Sequence, residues 1–300
     1  MNNFDLLTYI QPELVAILAI DLVIAIILLS AMRLLSGFWA SVNTTTELSQ
    51  KDNFAFGISM AGSILAMGIV LTGAVTGESA NSYVTEAIGV ISYGLVGLLM
   101  IKVGRFIHDK LSLNQINKAE YIRNENMAVA IVDAAAVVST AIVIRAVLLW
   151  AEGLDIYTLI AVVSGFAVSQ TVLLVVTRMR ENHYARHNQD ASFQQALKDG
   201  QIALAIRHAG HMVATALALK AASYFLIYQP TAIIVNLVGW LVISIVMTLL
   251  IFLLNKVARR IILMGVDTSV EVDQQDNIGV AAVEFAVIVA IALIMSALMA

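Results

Sequence analysis

Four segments of the chain align without gaps, and their spacing determines the fold. They are ELSQKDNFAFGI at 47–58, EYIRNENMAVAI at 120–131, QALKDGQIALAI at 195–206 and EVDQQDNIGVAA at 271–282. Asn53, Asn126, Gln201 and Asn277 correspond in this alignment, so successive copies are 73, 75 and 76 residues apart. Self-similarity at a nearly constant period indicates one structural unit that the chain repeats.

Each segment opens an apolar stretch that is long enough to cross a membrane. The chain of 300 residues is 60% hydrophobic and 13% charged, whereas an average soluble domain is about 25% charged. A helix needs about 20 apolar residues to cross a hydrocarbon core of about 30 Å. The sequence therefore predicts an all-α membrane protein with eight spans, at 14–35, 53–76, 83–104, 126–149, 156–177, 202–226, 231–254 and 277–299.

The connections between the spans are of two kinds, which alternate. Four are long and polar, at 36–52, 105–125, 178–201 and 255–276, and three are short. Of the 17 Lys and Arg residues, 14 lie in the long connections or at the helix ends beside them, and none lies in the short ones. Basic residues beside membrane spans stay on the cytoplasmic side. We therefore expect cytoplasmic long loops and both termini on the periplasmic side.

Each repeat unit consists of an odd-numbered span, a long connection and an even-numbered span. All four units have the same orientation in the membrane, so they are parallel repeats. Pairs of units divide the chain into halves at 1–152 and 153–300. The second span has 12 Gly, Ala, Ser or Thr residues in 53–76, against 5 in 231–254 of the seventh. Small side chains let helices pack closely. We therefore expect the even spans inside and the odd spans outside, with the seventh facing lipid.

An acid and an amide stand where three of the even spans begin. Such side chains satisfy free backbone N–H groups and favour the positive end of the helix dipole. We interpret them as helix caps; the alternative is a ring of cytoplasmic carboxylates that attracts cations. The third unit departs from the pattern, with Gly200 and Gln201 at these positions. The pairs are Asp52 and Asn53, Glu125 and Asn126, and Asp276 and Asn277.

The pattern of acid, amide and alanines that opens these spans resembles the bacterial inner-membrane family known as domain of unknown function 350, the YjfL type. The segments that begin at Glu47, Glu120 and Glu271 are its most specific parts. Members of that family resemble two of the hairpin units, so this chain resembles a tandem duplication of them. The resemblance implies a multi-pass protein of the bacterial inner membrane, and it implies no particular activity.

The even spans carry ionisable residues at matching positions. Seven residues after the aligned Asn or Gln stand Met60, Asp133, His208 and Glu284, about 10 Å from the cytoplasmic end at about 1.5 Å per residue. His211 follows His208 by one turn. If the repeats surround an axis, Asp133, His208 and Glu284 meet at one level. An ionisable group at the centre of a membrane helix costs about 3 kcal/mol, so it is usually paired or functional.

Three interpretations of this cluster are open. Charge pairing would fix the helix register, for example between Asp133 or Glu284 and Arg207 or His208. A proton or cation pathway would use the imidazole and carboxylate groups as they titrate. A metal site would use His208 and His211 with the two acids, because histidines at i and i+3 can share a ligand face.

A second set of charges lies nearer the periplasmic end. Arg145 and Lys220 each stand twelve residues after an aligned ionisable residue, Asp133 or His208, which is about 18 Å further along the helix. Asp21 of the first span enters from the periplasmic side and reaches a similar level. We expect an ion pair between Asp21 and Arg145 or Lys220 near the outer interface.

The sequence supports two classes of function, neither of them enzymatic. It has no phosphate loop, no Gly-x-Ser-x-Gly and no His-Glu-x-x-His, and the lack of cysteine excludes thiolate metal sites. We expect no cofactor and no nucleic-acid binding. The chain is either a carrier or channel for a proton, a small cation or a polar solute, or a scaffold without transport that docks a cytoplasmic protein on its long loops. The lipid bilayer surrounds it in both cases, and self-association is open.

Overall fold

The computed structural model describes residues 12–76, 82–151 and 156–300. Within these ranges eight helices are long and apolar enough to cross a membrane, which confirms the predicted all-α class and number of spans. The N-terminus and most of two short connections, which the topology prediction places on the periplasmic side, lie outside the described residues. The long helices are α1 (Pro12–Ala40), α2 (Phe54–Ala74), α3 (Tyr83–Ile107), α5 (Met127–Trp150), α6 (Ile156–His187), α8 (Ile202–Ser223), α9 (Ile233–Ile262) and α10 (Ile278–Met299).

Two short helices, α4 (Lys118–Arg123) and α7 (Phe193–Lys198), precede α5 and α8. We call α2, α5, α8 and α10 the even helices, because they are the second, fourth, sixth and eighth spans, and α1, α3, α6 and α9 the odd helices. The end of the molecule at which every even helix begins is called the basic end, and the opposite end is the far end.

The odd helices run further towards the basic end than the apolar sequence predicts. Helix α6 ends at His187 rather than at 177, and α9 ends at Ile262 rather than at 254. Residues 178–187 are polar, but they include Arg, Met, Glu and Ala and contain neither Pro nor Gly, so the helix has no reason to stop where the apolar stretch ends. The long connections are therefore shorter than predicted, and they are partly helical.

Every even helix begins at the aligned amide residue. The side-chain oxygens of Asn53, Asn126 and Asn277 each accept a hydrogen bond from the backbone N–H three residues later, which is the geometry of an N-cap. Gln201 holds the same backbone position without a side-chain cap.

The residue before each cap has a left-handed backbone. This conformation costs an L-residue about 1–2 kcal/mol, and glycine adopts it freely. The acids of the motif are therefore turn residues rather than caps, and glycine in the third unit fits the same turn without strain. The φ angles are 51° at Asp52, 64° at Glu125, 88° at Gly200 and 50° at Asp276.

The even helices lie side by side in a row. Helix α2 packs along α5, α5 along α8, and α8 along α10, whereas α2 and α10 do not pack along each other in the part of the chain that the structure describes. Helix α3 packs against both α2 and α5, α6 against α5 and α8, and α9 against α8 and α10, while α1 packs against α2 and α3. The repeats therefore form an open row and do not surround an axis.

Small residues set the separation within the row. A Cβ atom on Gly62 of α2 would lie 2.6 Å from the Cβ of Ala134 in α5, and one on Gly210 of α8 would lie 3.0 Å from the Cα of Phe285 in α10. The most apolar stretches of α5 and α8 are 72% and 83% buried, against 11% for α1. Helix α10 is only 33% buried, because it ends the row. The expectation that even spans lie inside thus holds best for α5 and α8, and α10 is the exception.

Candidate functional site

The carboxylate of Asp133 is buried in α5 and surrounded by polar partners near the basic end. Arg105 at the end of α3 donates to both carboxylate oxygens, with Nη2 2.5 Å from Oδ2 and Nε 3.2 Å from Oδ1. The Lys118 Nζ lies 2.7 Å from Oδ1, and the Ser59 hydroxyl of α2 donates to Oδ2 at 2.5 Å. Lys118 also binds Asp109 at 2.7 Å. Asp133 thus joins α5 to α2, to α3 and to the first residue of α4.

Glu284 of α10 forms a second cluster, which we call the Glu284 cluster, with Arg207, Arg259 and Asp273. Its Oε2 accepts from Arg207 Nε of α8 at 2.5 Å, and its Oε1 accepts from Arg259 Nη1 of α9 at 2.7 Å. The Arg207 Nη1 lies 2.6 Å from Asp273 Oδ1, and its Nη2 donates to the Thr268 carbonyl. The expected pair between Glu284 and Arg207 is therefore present.

His208 and His211 belong to neither cluster. His208 is buried with its ring centroid 4.9 Å from that of Phe193, and both of its ring nitrogens lack a hydrogen-bond partner. His211 meets Phe252 of α9 edge to face at 5.1 Å. The prediction that Asp133, His208 and Glu284 meet is therefore wrong, because the units form a row and the aligned positions have no common centre. Among the described residues no group of three or more His, Asp or Glu side chains is placed to hold a metal ion, so the metal alternative has no ligand set.

The expected ion pair near the far end is not formed. Arg145 Nε donates to the Thr72 hydroxyl of α2 at 2.9 Å, and Lys220 Nζ lies 5.9 Å from the ring centroid of Tyr224. Asp21 lies on α1, which packs against α2 and α3 at one end of the row and not along α5 or α8. Arg145 and Lys220 instead line one cavity of about 320 Å³.

The buried face of α9 carries several polar side chains beside the apolar Met247 and Ile251, although the span as a whole looks like a lipid-facing helix. We call this set of side chains the polar stripe: Asn236, Trp240, Ser244, Thr248 and Asn255, all of them buried. They recur at steps of four and then seven residues, which places them on one helix face. From first to last they extend about 28 Å along the helix axis, which nearly matches a hydrocarbon thickness of about 30 Å.

Most groups of the polar stripe lack a hydrogen-bond partner. The Trp240 Nε1, Ser244 Oγ, Thr248 Oγ1 and Asn255 Oδ1 atoms are buried and unpaired, whereas Asn236 Nδ2 donates to the Ile227 carbonyl at 3.1 Å. A buried polar group without a partner costs about 1–3 kcal/mol, and native proteins contain few of them. Such a row on one membrane helix therefore calls for a functional explanation.

Average hydropathy conceals the polar stripe, and the spacing of its members reveals it. The opposite face of α9 carries exposed apolar residues, among them Val235, Val242 and Leu249. Because these large side chains dominate the composition, the whole span was predicted to face lipid. That prediction is correct for one face of α9 and wrong for the face that packs against α6, α8 and α10.

A cavity of about 720 Å³ opens at the basic end beside Asp133. Its charged lining consists of Lys102, Arg105, Asp109, Lys110 and Lys118. Arg105, Asp109 and Lys118 already take part in the ion pairs around Asp133, whereas Lys102 and Lys110 are exposed and take part in no described ion pair. The cavity is therefore a basic pocket.

Glu47 lies outside the spans, in the turn before α2. Its Oε1 lies 2.8 Å from Lys51 Nζ, and its Oε2 accepts from Asn53 Nδ2 at 2.9 Å. Burial alone would raise the pKa of the Glu47 carboxyl, but hydrogen bonds from Lys51 and Asn53 and the charges of Lys51 and Arg123 outweigh it, so this pKa lies below its ordinary value. The ionised carboxylate thus supports the cap of α2.

Comparison with known proteins gives one match. The family model described as Domain of Unknown Function (DUF350) matches residues 9–148 and matches again at 153–299. No curated protein and no solved structure matches the chain.

Proposed function

The chain belongs to the DUF350 family, whose domain it carries twice in tandem, and we propose from its structure that it is a membrane carrier or channel for protons, a small cation or a small polar solute. The route follows the polar stripe of α9. The Glu284 cluster forms its entrance at the basic end.

The length of the polar stripe is the observation that carries this proposal. A structural role would need each hydroxyl or amide oxygen to bind a neighbour, yet the Ser244 and Thr248 hydroxyls and the Asn255 Oδ1 atom have no partner. In a membrane interior such groups mark pathways for ions or substrates, because uncompensated polarity there is costly. Hydroxyl groups both donate and accept, and an amide oxygen accepts, so the stripe can bind water, a hydrated proton or a cation.

The Glu284 cluster continues the polar stripe towards the basic end. Arg259, which binds Glu284, stands one turn after Asn255 on the same helix. A cation that enters from the basic end therefore meets the Glu284 carboxylate while two guanidinium groups hold it. Passage inward requires that one of these ion pairs opens, so the cluster acts as a gate.

We place the basic end in the cytoplasm and the protein in a bacterial inner membrane. The distribution of basic residues supports this orientation, because 14 of the 17 lie in or beside the long connections and such residues resist translocation. Transport through the stripe would then connect the cytoplasm with the periplasm.

Thr248→Val and Asn255→Leu test the route, because they replace polar groups by apolar ones of similar size. In proteoliposomes under an imposed pH gradient or membrane potential, the wild-type protein should raise proton flux, measured with an entrapped pH-sensitive dye. Each substitution should lower that flux about tenfold, which corresponds to about 1.4 kcal/mol in barrier height. Both variants should fold at least as well as the wild type, because each replaces an unpaired buried polar atom.

Thr171→Val is the matched control. The Thr171 hydroxyl lies on the exposed face of α6 and donates to the Ala167 carbonyl at 2.9 Å, so its loss should leave flux unchanged. The same vesicles assayed with Na⁺ and K⁺ gradients distinguish a proton route from a cation route. If the wild type carries no more of any of these ions than protein-free vesicles, or if both stripe variants retain full flux, the proposed route is wrong.

The basic pocket favours the second candidate function, a scaffold without transport. Its exposed Lys102 and Lys110 are suited to an acidic segment of a cytoplasmic protein. Under this alternative, Lys102→Glu and Lys110→Glu together should abolish recovery of a partner with the purified protein, while Thr248→Val should leave that recovery unchanged.

A further inference from the structure

The even helices make the same interface three times within the chain. Counting from each cap, positions 9, 13 and 20 form the face that packs on the next even helix, which we call the leading face. These residues are small and buried in the first three units. They are Gly62, Ala66 and Gly73 in α2, Ala135, Ser139 and Ala146 in α5, and Gly210, Ala214 and Ala221 in α8.

The opposite face of each even helix packs on the preceding even helix. It is formed by positions 4, 8 and 15, and we call it the trailing face. Position 9 of one helix lies against position 8 of the next, as Gly62 does against Ala134 and Gly210 does against Phe285. In α8 the trailing residues are Ala205, Ala209 and Ala216, all of them buried.

The two ends of the row leave one face of each kind uncovered. On α10 the leading residues Ala286, Ala290 and Ala297 are exposed. On α2 the trailing residue Ala61 is exposed, and a Cβ atom on Gly68 would meet no atom within 4 Å. Small residues gain little from contact with lipid, but they permit close approach of another helix. The lipid-facing side of α9, by contrast, carries large residues such as Val242 and Leu249.

Polar contacts between successive units also indicate that the row can continue beyond the fourth unit. The amide of Asn53 donates to the Ile122 carbonyl of the second unit at 3.1 Å, and that of Asn126 donates to the Lys198 carbonyl of the third at 2.9 Å. Asn277 has no following unit, and its amide donates to Glu271 of its own unit at 2.8 Å. Asn53 makes the equivalent local bond to Glu47 as well, so among the described residues Asn277 keeps the local bond and lacks the contact with a following unit.

A carboxylate at the other end of the row is also left without its counterpart. Asp276 of the fourth unit accepts a hydrogen bond from the Ala203 backbone N–H of the third at 2.7 Å. Asp52 holds the same left-handed position before α2 and is exposed. The residue equivalent to Ala203 in the last unit is Gly279, which is exposed at the start of α10. The two ends of the row thus carry the halves of the contact that the third and fourth units make with each other.

We propose that the leading face of α10 binds the trailing face of α2 in a second copy of this chain, so that copies associate head to tail. The interface continues one that each copy already makes three times internally. A heterologous contact of this kind closes into a ring or extends as a chain. This inference is independent of the transport proposal.

Cysteine cross-linking tests the contact, because the chain has no cysteine of its own. Ala286→Cys and Ala61→Cys place thiols at positions 9 and 8. When the two single variants are co-expressed, mild oxidation of the membranes should give a disulfide-linked dimer in high yield, and the double variant should give a series of multimers or one closed ring. Val242→Cys on the lipid-facing side of α9 is the control for random collision.

Three outcomes would overturn the proposal. Equal cross-linking of the Val242→Cys control would mean that the mixed pair reports only random encounters. Efficient dimers from Ala286→Cys alone would mean a two-fold contact instead of a head-to-tail one. If the mixed sample gives no cross-link and native mass spectrometry finds a monomer in lipid nanodiscs, the leading face of α10 and the trailing face of α2 contact lipid and the proposed interface does not form.

A second measurement does not depend on disulfide geometry. Ala290→Leu enlarges an exposed side chain on the leading face, so the monomer should fold while the oligomer seen in nanodiscs is lost. Val242→Leu should leave the oligomer intact. An oligomer that tolerates Ala290→Leu would contradict the proposed interface.

Discussion

Two buried carboxylates occupy equivalent positions in their repeat units, and each is bound by two cationic side chains. Asp133 binds Arg105 and Lys118, and Glu284 binds Arg207 and Arg259. Removing a charge from water costs several kcal/mol, and only well-made pairs repay it. The loss of one member therefore leaves its partners buried without a counter-charge.

The first prediction concerns Asp133→Asn, which should lower the free energy of unfolding by about 3 kcal/mol. Arg105 and Lys118 would then face a neutral amide. The measurement is the thermal unfolding midpoint in detergent, followed by tryptophan fluorescence. Adding Arg105→Gln should restore part of the loss, whereas Asp190→Asn, at an exposed turn, should change nothing. An Asp133→Asn midpoint equal to that of Asp190→Asn would contradict the pairing.

The sequence predicted where Asp133 and Glu284 lie along their helices and suggested Arg207 as a partner of Glu284, but it did not predict the other partners. Arg105, Lys118 and Arg259 fall in segments that the sequence assigns to loops, and nothing in a loop assignment fixes a side-chain direction. The extended odd helices bring Arg105 and Arg259 to the carboxylates. The sequence alone therefore identifies the buried carboxylates and one of their partners, and it leaves the partners in the loop segments undetermined.

Among the helices, α9 departs most from its prediction, because one face is apolar and the other carries the polar stripe. A composition averaged over the span cannot distinguish an amphipathic membrane helix from a uniformly apolar one, whereas the four-residue spacing can. The even helices were easier to predict, since small residues have a direct packing consequence.

The second prediction compares substitutions on two helices. Gly62→Leu should greatly reduce the yield of folded protein, because even a Cβ atom at this position would lie 2.6 Å from the Cβ of Ala134, and overpacking of this kind costs about 1–3 kcal/mol or more. Val242→Phe on the exposed face of α9 should have little effect. The measurement is the fraction of protein that remains monodisperse in detergent. Equal losses would mean that α2 and α5 are not in close contact.

The whole molecule is an open row of four parallel units. The repeat, the number of spans and the common orientation of the four units follow from the sequence. Whether parallel units close around an axis depends on the angle between neighbours, which the sequence does not determine. The row separates the aligned ionisable residues into two clusters, and it gives α9 a place between α6, α8 and α10. The two halves of the chain therefore share one arrangement of helices, and the polar stripe lies in the second half.

The most direct test of the account measures whether the polar stripe reaches water from both sides of the membrane. Single cysteines at Asn255, Thr248 and Asn236 are treated with an impermeant thiol reagent, added to either side of sealed vesicles. We expect Asn255→Cys to react from the side on which Ser192→Cys reacts, Asn236→Cys to react from the opposite side, and Thr248→Cys to react from at least one. Val242→Cys, on the lipid face, should react from neither. If none of the three stripe cysteines reacts while Ser192→Cys does, α9 carries no aqueous route and the transport proposal is wrong.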